Sequence, residues 1–96
     1  MIELLWTPEA IQDREDIYDY IEADNPAAAL ALDELISEKA SRLVEHPNLG
    51  RLGREADTRE LIAHQHYVLV YDVTKTQVRV LRVLHATQQW PPNRIY

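Results

Sequence analysis

Ninety-six residues with 46% hydrophobic and 27% charged content and a formal net charge of −6 describe one small globular domain, residues 1–96, able to bury a core without metals or disulfides. Cysteine is absent, which excludes a disulfide framework, a zinc–thiolate centre and thiol chemistry. Residues 1–48 hold twelve acids against three bases, a balance of −9, and residues 49–96 hold four acids against seven bases, a balance of +3; this suggests either a polarised molecule or two ordinary solvated faces, and the acidic total argues against avid, non-specific nucleic-acid binding.

The N-terminus lacks a basic start and a long apolar run, so no signal peptide is expected. No stretch is long enough to span a bilayer, and the expected location is the cytoplasm. Ile2 to Trp6 is apolar and too short for a helix, which predicts an opening strand. Thr7 can cap a following helix, and Pro8 fits its first turn, where no N–H partner is needed. Ala10, Ile11, Arg14, Ile17, Tyr18 and Ile21 recur at helical spacing, with Gln12, Asp13, Glu15, Asp16 and Asp19 mostly on the other side; the helix should end near Ala23.

Asn25-Pro26 repeats the cap-and-proline signal and opens a second helix. Its apolar stripe is Leu32, Leu35, Ile36, Leu43 and Val44, and it stops before Pro47, since the residue preceding a proline is pushed out of helical geometry. Two helices so closely joined predict an antiparallel hairpin. Asn48 to Arg54 reads as a loop holding both glycines, Gly50 and Gly53. It lacks the G-K-[ST] and the preceding strand of a phosphate loop.

Three strands then follow: Thr58 to Ala63, Tyr67 to Val73 and Val78 to His85, rich in β-branched and aromatic residues. Period-two alternation places Val78, Val80, Arg82 and Leu84 on one face of the last strand and Arg79, Leu81, Val83 and His85 on the other. Pro91-Pro92 ends ordered pairing, and Asn93 to Tyr96 is expected to be a loose tail. The order strand, two helices, three strands predicts an α+β fold: a helical hairpin on one mostly antiparallel sheet.

Arg59, His64, His66, Tyr67, Arg79, Arg82 and His85 fall on or beside these strands. Such a set can hold a phosphate, shuttle a proton and stack a base, as metal-free RNA cleavage requires. The competing reading is structural: arginines bridging to the acidic helices, His85 as a half-buried strand end, and Tyr67 as core. His64 and His66, two apart on a strand, would share a face and could bind a metal, but nothing is spaced to complete the set. No metal or cofactor is expected. No nucleophile can be placed, since Ser37 and Ser41 sit on a helix among polar residues. Trp90 is either a lid over the sheet or an exposed anchor for a partner.

The segments W-T-P-E-A, Y-I-E-A-D-N-P-A-A-A, H-P-N-L-G-R-L-G-R, T-R-E-L-I, H-Y-V-L-V-Y-D-V and V-R-V-L-R-V-L-H-A-T-Q-Q-W-P, from Trp6 to Pro91, together resemble the RelE/ParE superfamily of toxin–antitoxin toxins. Within it the chain looks more like the ParE, or plasmid-stabilisation, branch. The resemblance implies a growth-inhibiting toxin neutralised by a cognate antitoxin, with which it would assemble. ParE-like members trap DNA gyrase. RelE-like members enter the ribosome and cut mRNA, and Arg59, Arg82 and His85 are the positions here that could serve as catalytic residues in that role. Under the gyrase reading, Arg51, Arg54, Arg79 and Trp90 are candidate contacts to target or antitoxin. The chain departs from the nucleases in being acidic and in having only Lys39 and Lys75 as lysines, which tilts the resemblance toward a non-enzymatic, protein-binding poison.

Overall fold

The computed structural model describes residues 2–87 and Trp90; the expected tail, with Pro91 and Pro92, lies outside them. Strand β1 (Glu3–Trp6) leads into α1 (Pro8–Glu22) and α2 (Pro26–Arg42), followed by β2 (Arg51–Leu52), β3 (Arg59–His64), β4 (Tyr67–Val73) and β5 (Gln77–His85). Both helices start as the sequence dictates. The Thr7 hydroxyl accepts a hydrogen bond from the Ala10 amide at 3.1 Å, and the Asn25 side chain accepts one from the Ala28 amide at 3.1 Å. Each cap satisfies one of the amides left free in a first helical turn.

One sheet holds all five strands in the order β1-β5-β4-β3-β2. The β2–β3, β3–β4 and β4–β5 pairs are antiparallel, while β1 lies parallel to β5, Glu3 facing Gln77 and Trp6 facing Val80. The two-residue β2 falls within the stretch expected to be loop. Its pairing with Arg59 and Glu60 adds a fifth strand at the sheet edge.

Both helices cover one face. Ala10 from α1 and Leu32, Ile36 and Ala40 from α2 pack with Ala63, Leu69, Val80 and Val83. Leu43, just past α2, closes over Tyr71 and Val78. Burying such side chains is worth about 1.5–3 kcal/mol apiece for the larger ones. Of the predicted α1 stripe, only Ala10 is fully buried, and Ile11 stays 47% exposed.

The alternation expected along β5 does not hold. Tyr71 pairs with Val80 but Val70 pairs with Arg82, so Leu81 is an extra residue in the strand. Such a bulge reverses the face parity beyond it. Val83 therefore joins Val78 and Val80 toward the helices instead of facing away with Arg79. A second irregularity between Ile62 and His64 ends β3 at the hairpin turn. His64 thus ends β3 and His66 lies in the two-residue turn that follows it, so the two do not stand along one strand face.

Candidate functional site

Strand β1 stops opposite Val80, and β5 continues for five more residues with no strand on that edge among the described residues. The first turns of α1 fill the gap. The Thr7 amide donates to the Val80 carbonyl at 3.0 Å, and the Thr7 hydroxyl donates to the Leu81 carbonyl at 2.9 Å. Further along α1, one carboxylate oxygen of Asp13 accepts from the Val83 amide at 2.9 Å and from Arg82 Nε at 2.7 Å, and the other accepts from an Arg82 terminal nitrogen at 3.0 Å. Asp13 thus serves as a short substitute for the missing strand and as a two-pronged partner for Arg82.

Between α1 and this length of β5 runs a groove of about 650 Å³, lined by Asp16, Ile17, Tyr20, Tyr67, His85 and Thr87 together with Asp13 and Arg82. The His85 ring lies parallel to His66 with centroids 5.6 Å apart and meets Tyr67 edge-on at 5.3 Å. Its Nδ1 is 2.8 Å from the Thr87 hydroxyl. Burial, and secondarily Tyr20, pushes the Tyr67 phenol above its ordinary value, so it is a neutral hydroxyl at physiological pH. The hydrogen bond to Asp13 raises Arg82 further above its already high value, against the opposing effect of burial. Trp90 lies against Arg82, its ring centre 5.6 Å from the guanidinium carbon, with its indole nitrogen buried and without a hydrogen-bond partner among the described residues.

The structure therefore gathers Arg82, His85 and Trp90 but not Arg59. The Arg59 guanidinium donates to the Gly50 carbonyl at 2.8 Å, in the loop that follows α2. The Tyr71 hydroxyl shares that loop, donating to the Pro47 carbonyl at 2.7 Å and accepting from the Gly50 amide at 2.9 Å. Gly50 is required here, because a Cβ would lie 2.8 Å from both the Tyr71 hydroxyl and the Glu60 carbonyl.

Arg51 and Arg54 converge on Glu60, whose side chain is only 1% exposed. Burial pushes the Glu60 carboxyl up, but the Arg54 amide and guanidinium, with Arg51, outweigh it and hold the group below its ordinary value. Arg79 pairs in a fork with Asp72, across from it on β4. Each arginine predicted to meet a ligand is thus engaged by a carboxylate or a carbonyl of the protein itself. The sequence reading missed Asp13 and Glu60: Asp13 lies 69 positions from Arg82 on a helix side counted as solvent-facing. No cluster of three or more His, Asp or Glu able to hold a metal occurs among the described residues.

A capped helical hairpin on a five-stranded, mostly antiparallel sheet is the fold of RelE/ParE-like toxin structures. The family model of the ParE toxin of type II toxin–antitoxin system, parDE, matches residues 4–90. The chain is 40% identical over 87 residues to Y4kP of Sinorhizobium fredii, covering 90% of each, and 35% identical over 88 residues to toxin RelE2 of Caulobacter vibrioides, covering 92% of this chain and 99% of that one. Among solved structures, the chromosomal ParDE toxin–antitoxin system of P. aeruginosa superposes with a TM-score of 0.82 at 26% identity, over 88% of this chain and 96% of that one. The RelBE2 complex of Mycobacterium tuberculosis, at 23% identity and a TM-score of 0.63 over 88% and 96% of the two chains, shares the fold. The chain belongs to the ParE toxin family of type II toxin–antitoxin systems, within the RelE/ParE superfamily.

Proposed function

We propose that this toxin halts growth by binding a protein target, DNA gyrase, and that a cognate antitoxin holds it inactive. The observation that carries this reading is the ion pair between Asp13 and Arg82, with side chains 15% and 26% exposed. A metal-free nuclease needs a cation facing the scissile phosphate to hold it and to stabilise the charge that develops there. In this groove the arginine's charge is already met by a carboxylate, with Asp16 on the same wall. Protein recognition has no such requirement, and Tyr20, 81% exposed beside Tyr67 and His85, supplies the aromatic surface that protein interfaces favour. The antitoxin contact is proposed from the exposed Ile11, Tyr20 and Leu30 on the helical hairpin, which suit an amphipathic segment that folds on binding. Action on gyrase would place the toxin in the cytoplasm.

A second reading, ribosome-dependent mRNA cleavage, draws support from the presence of Arg82, His85 and Tyr67 in one groove. Induction of the toxin alone in bacteria separates the two. Gyrase poisoning gives an SOS response, filamentation and trapped gyrase–DNA complexes while translation continues. Immediate translation arrest, with cuts in translated mRNA and no DNA damage, would reject the gyrase reading. Co-expression with the adjacent reading frame followed by size exclusion tests the antitoxin; a toxin that elutes alone rejects that partner.

A further inference from the structure

The carboxylate of Asp13 rests in a cradle of three donors: Arg82 Nε and a terminal Arg82 nitrogen at 2.7 and 3.0 Å, and the Val83 amide at 2.9 Å. Two guanidinium N–H groups beside a backbone N–H are what a phosphate oxygen pair requires. The cradle owes its existence to the fold. β1 ends opposite Val80, so the Val83 amide leaves the sheet on the side where no strand remains to accept it. The Leu81 bulge lets Arg82 reach round the same edge. His85, Tyr67 and Thr87 line the adjoining groove, placing stacking and hydrogen-bonding groups where the remainder of a nucleotide would lie.

We propose that this cradle is a phosphate-binding site occupied by the protein's own carboxylate, and that Asp13 thereby determines what the groove accepts. A phosphate group must displace Asp13 and then remain beside its charge, and beside Asp16 on the same wall. Both demands disfavour an anion, because like charges at close range repel and the displaced carboxylate loses three hydrogen bonds. The groove is left to neutral or cationic protein side chains. This deepens the protein-target reading by naming the residue that keeps nucleic acid out, and it rests on that reading only for its biological consequence.

The test is binding by the purified full chain. Asp13→Asn keeps the side-chain shape and one acceptor while removing the charge. Two probes are titrated at matched ionic strength, inorganic phosphate and a single-stranded RNA hexanucleotide, and the Val83 amide resonance is followed. The expected result is at least about tenfold tighter phosphate binding by Asp13→Asn than by the parent, weakening with salt and lost in Asp13→Asn/Arg82→Gln. Binding of the hexanucleotide through the same residues identifies the excluded class as a nucleic-acid phosphodiester; binding of phosphate alone identifies a free anion. If Asp13→Asn is destabilised, phosphate still reports, because a ligand of the folded state raises its melting temperature. Asp13→Ser provides a second charge-free cradle. Equal phosphate binding by the parent and Asp13→Asn, or none by either charge-free variant, overturns the proposal. A negative binding result leaves gyrase trapping in cells untouched, and failure to trap gyrase leaves a positive binding result intact.

Discussion

Replacing Tyr71 with Phe removes one oxygen atom and keeps the ring, so no cavity opens and the effect isolates two hydrogen bonds. The Tyr71 side chain is fully buried, and its hydroxyl joins the Pro47 carbonyl to the Gly50 amide at 2.7 and 2.9 Å. Gly50 is buried, so its amide cannot turn to water. Leaving a buried donor unpaired costs about 1–3 kcal/mol. Pro47 is only partly buried, and its carbonyl can regain a water partner, so its loss adds about 0.5–1 kcal/mol. The expected destabilisation is about 1.5–4 kcal/mol, read as a lower urea midpoint at unchanged denaturant slope. Because the neighbouring Arg59 holds the Gly50 carbonyl, Tyr71→Phe and Arg59→Ala should be non-additive in a double-mutant cycle. A Tyr71→Phe loss below about 0.5 kcal/mol, too small for even one net hydrogen bond, would refute the account of how this loop is held.

Glu60 should make stability acid-sensitive: its folded value lies below the unfolded one, so its contribution is present above the unfolded carboxyl range and is lost as pH falls through the folded value. Glu60→Ala should remove about 1.5–3 kcal/mol at neutral pH and flatten that acid limb, as urea midpoints across a pH series would record; the loss stays moderate because Arg51 and Arg54 remain solvated rather than stranded. Thr7→Ala removes both the cap on α1 and the bond to Leu81 and should cost about 1–2 kcal/mol, with hydrogen exchange rising at Ala10.

Helix starts and four of the five strands were legible because their causes are local, whereas β2 fell in a stretch that read as loop. Thr7-Pro8 and Asn25-Pro26 carry the cap and the fixed backbone angle within two residues, and Tyr67–Val73 carries its own β-branched and aromatic pattern. Cysteine content and the membership of the superfamily were equally readable from residues alone. The groove was only half legible. Arg82 and His85 could be named from residue type, but their environment depends on where β1 ends and on the extra residue at Leu81, which no alternation pattern contains. The parallel pairing of β1 with β5 joins the two ends of the chain and brings Asp13 to Arg82. Glu60, on a strand that reads as ordinary, became the buried partner of two arginines only when β2 folded back beside β3. Sequence thus set which charges exist, and tertiary structure decided which of them face each other, because an ion pair depends on distance in space and not on distance along the chain.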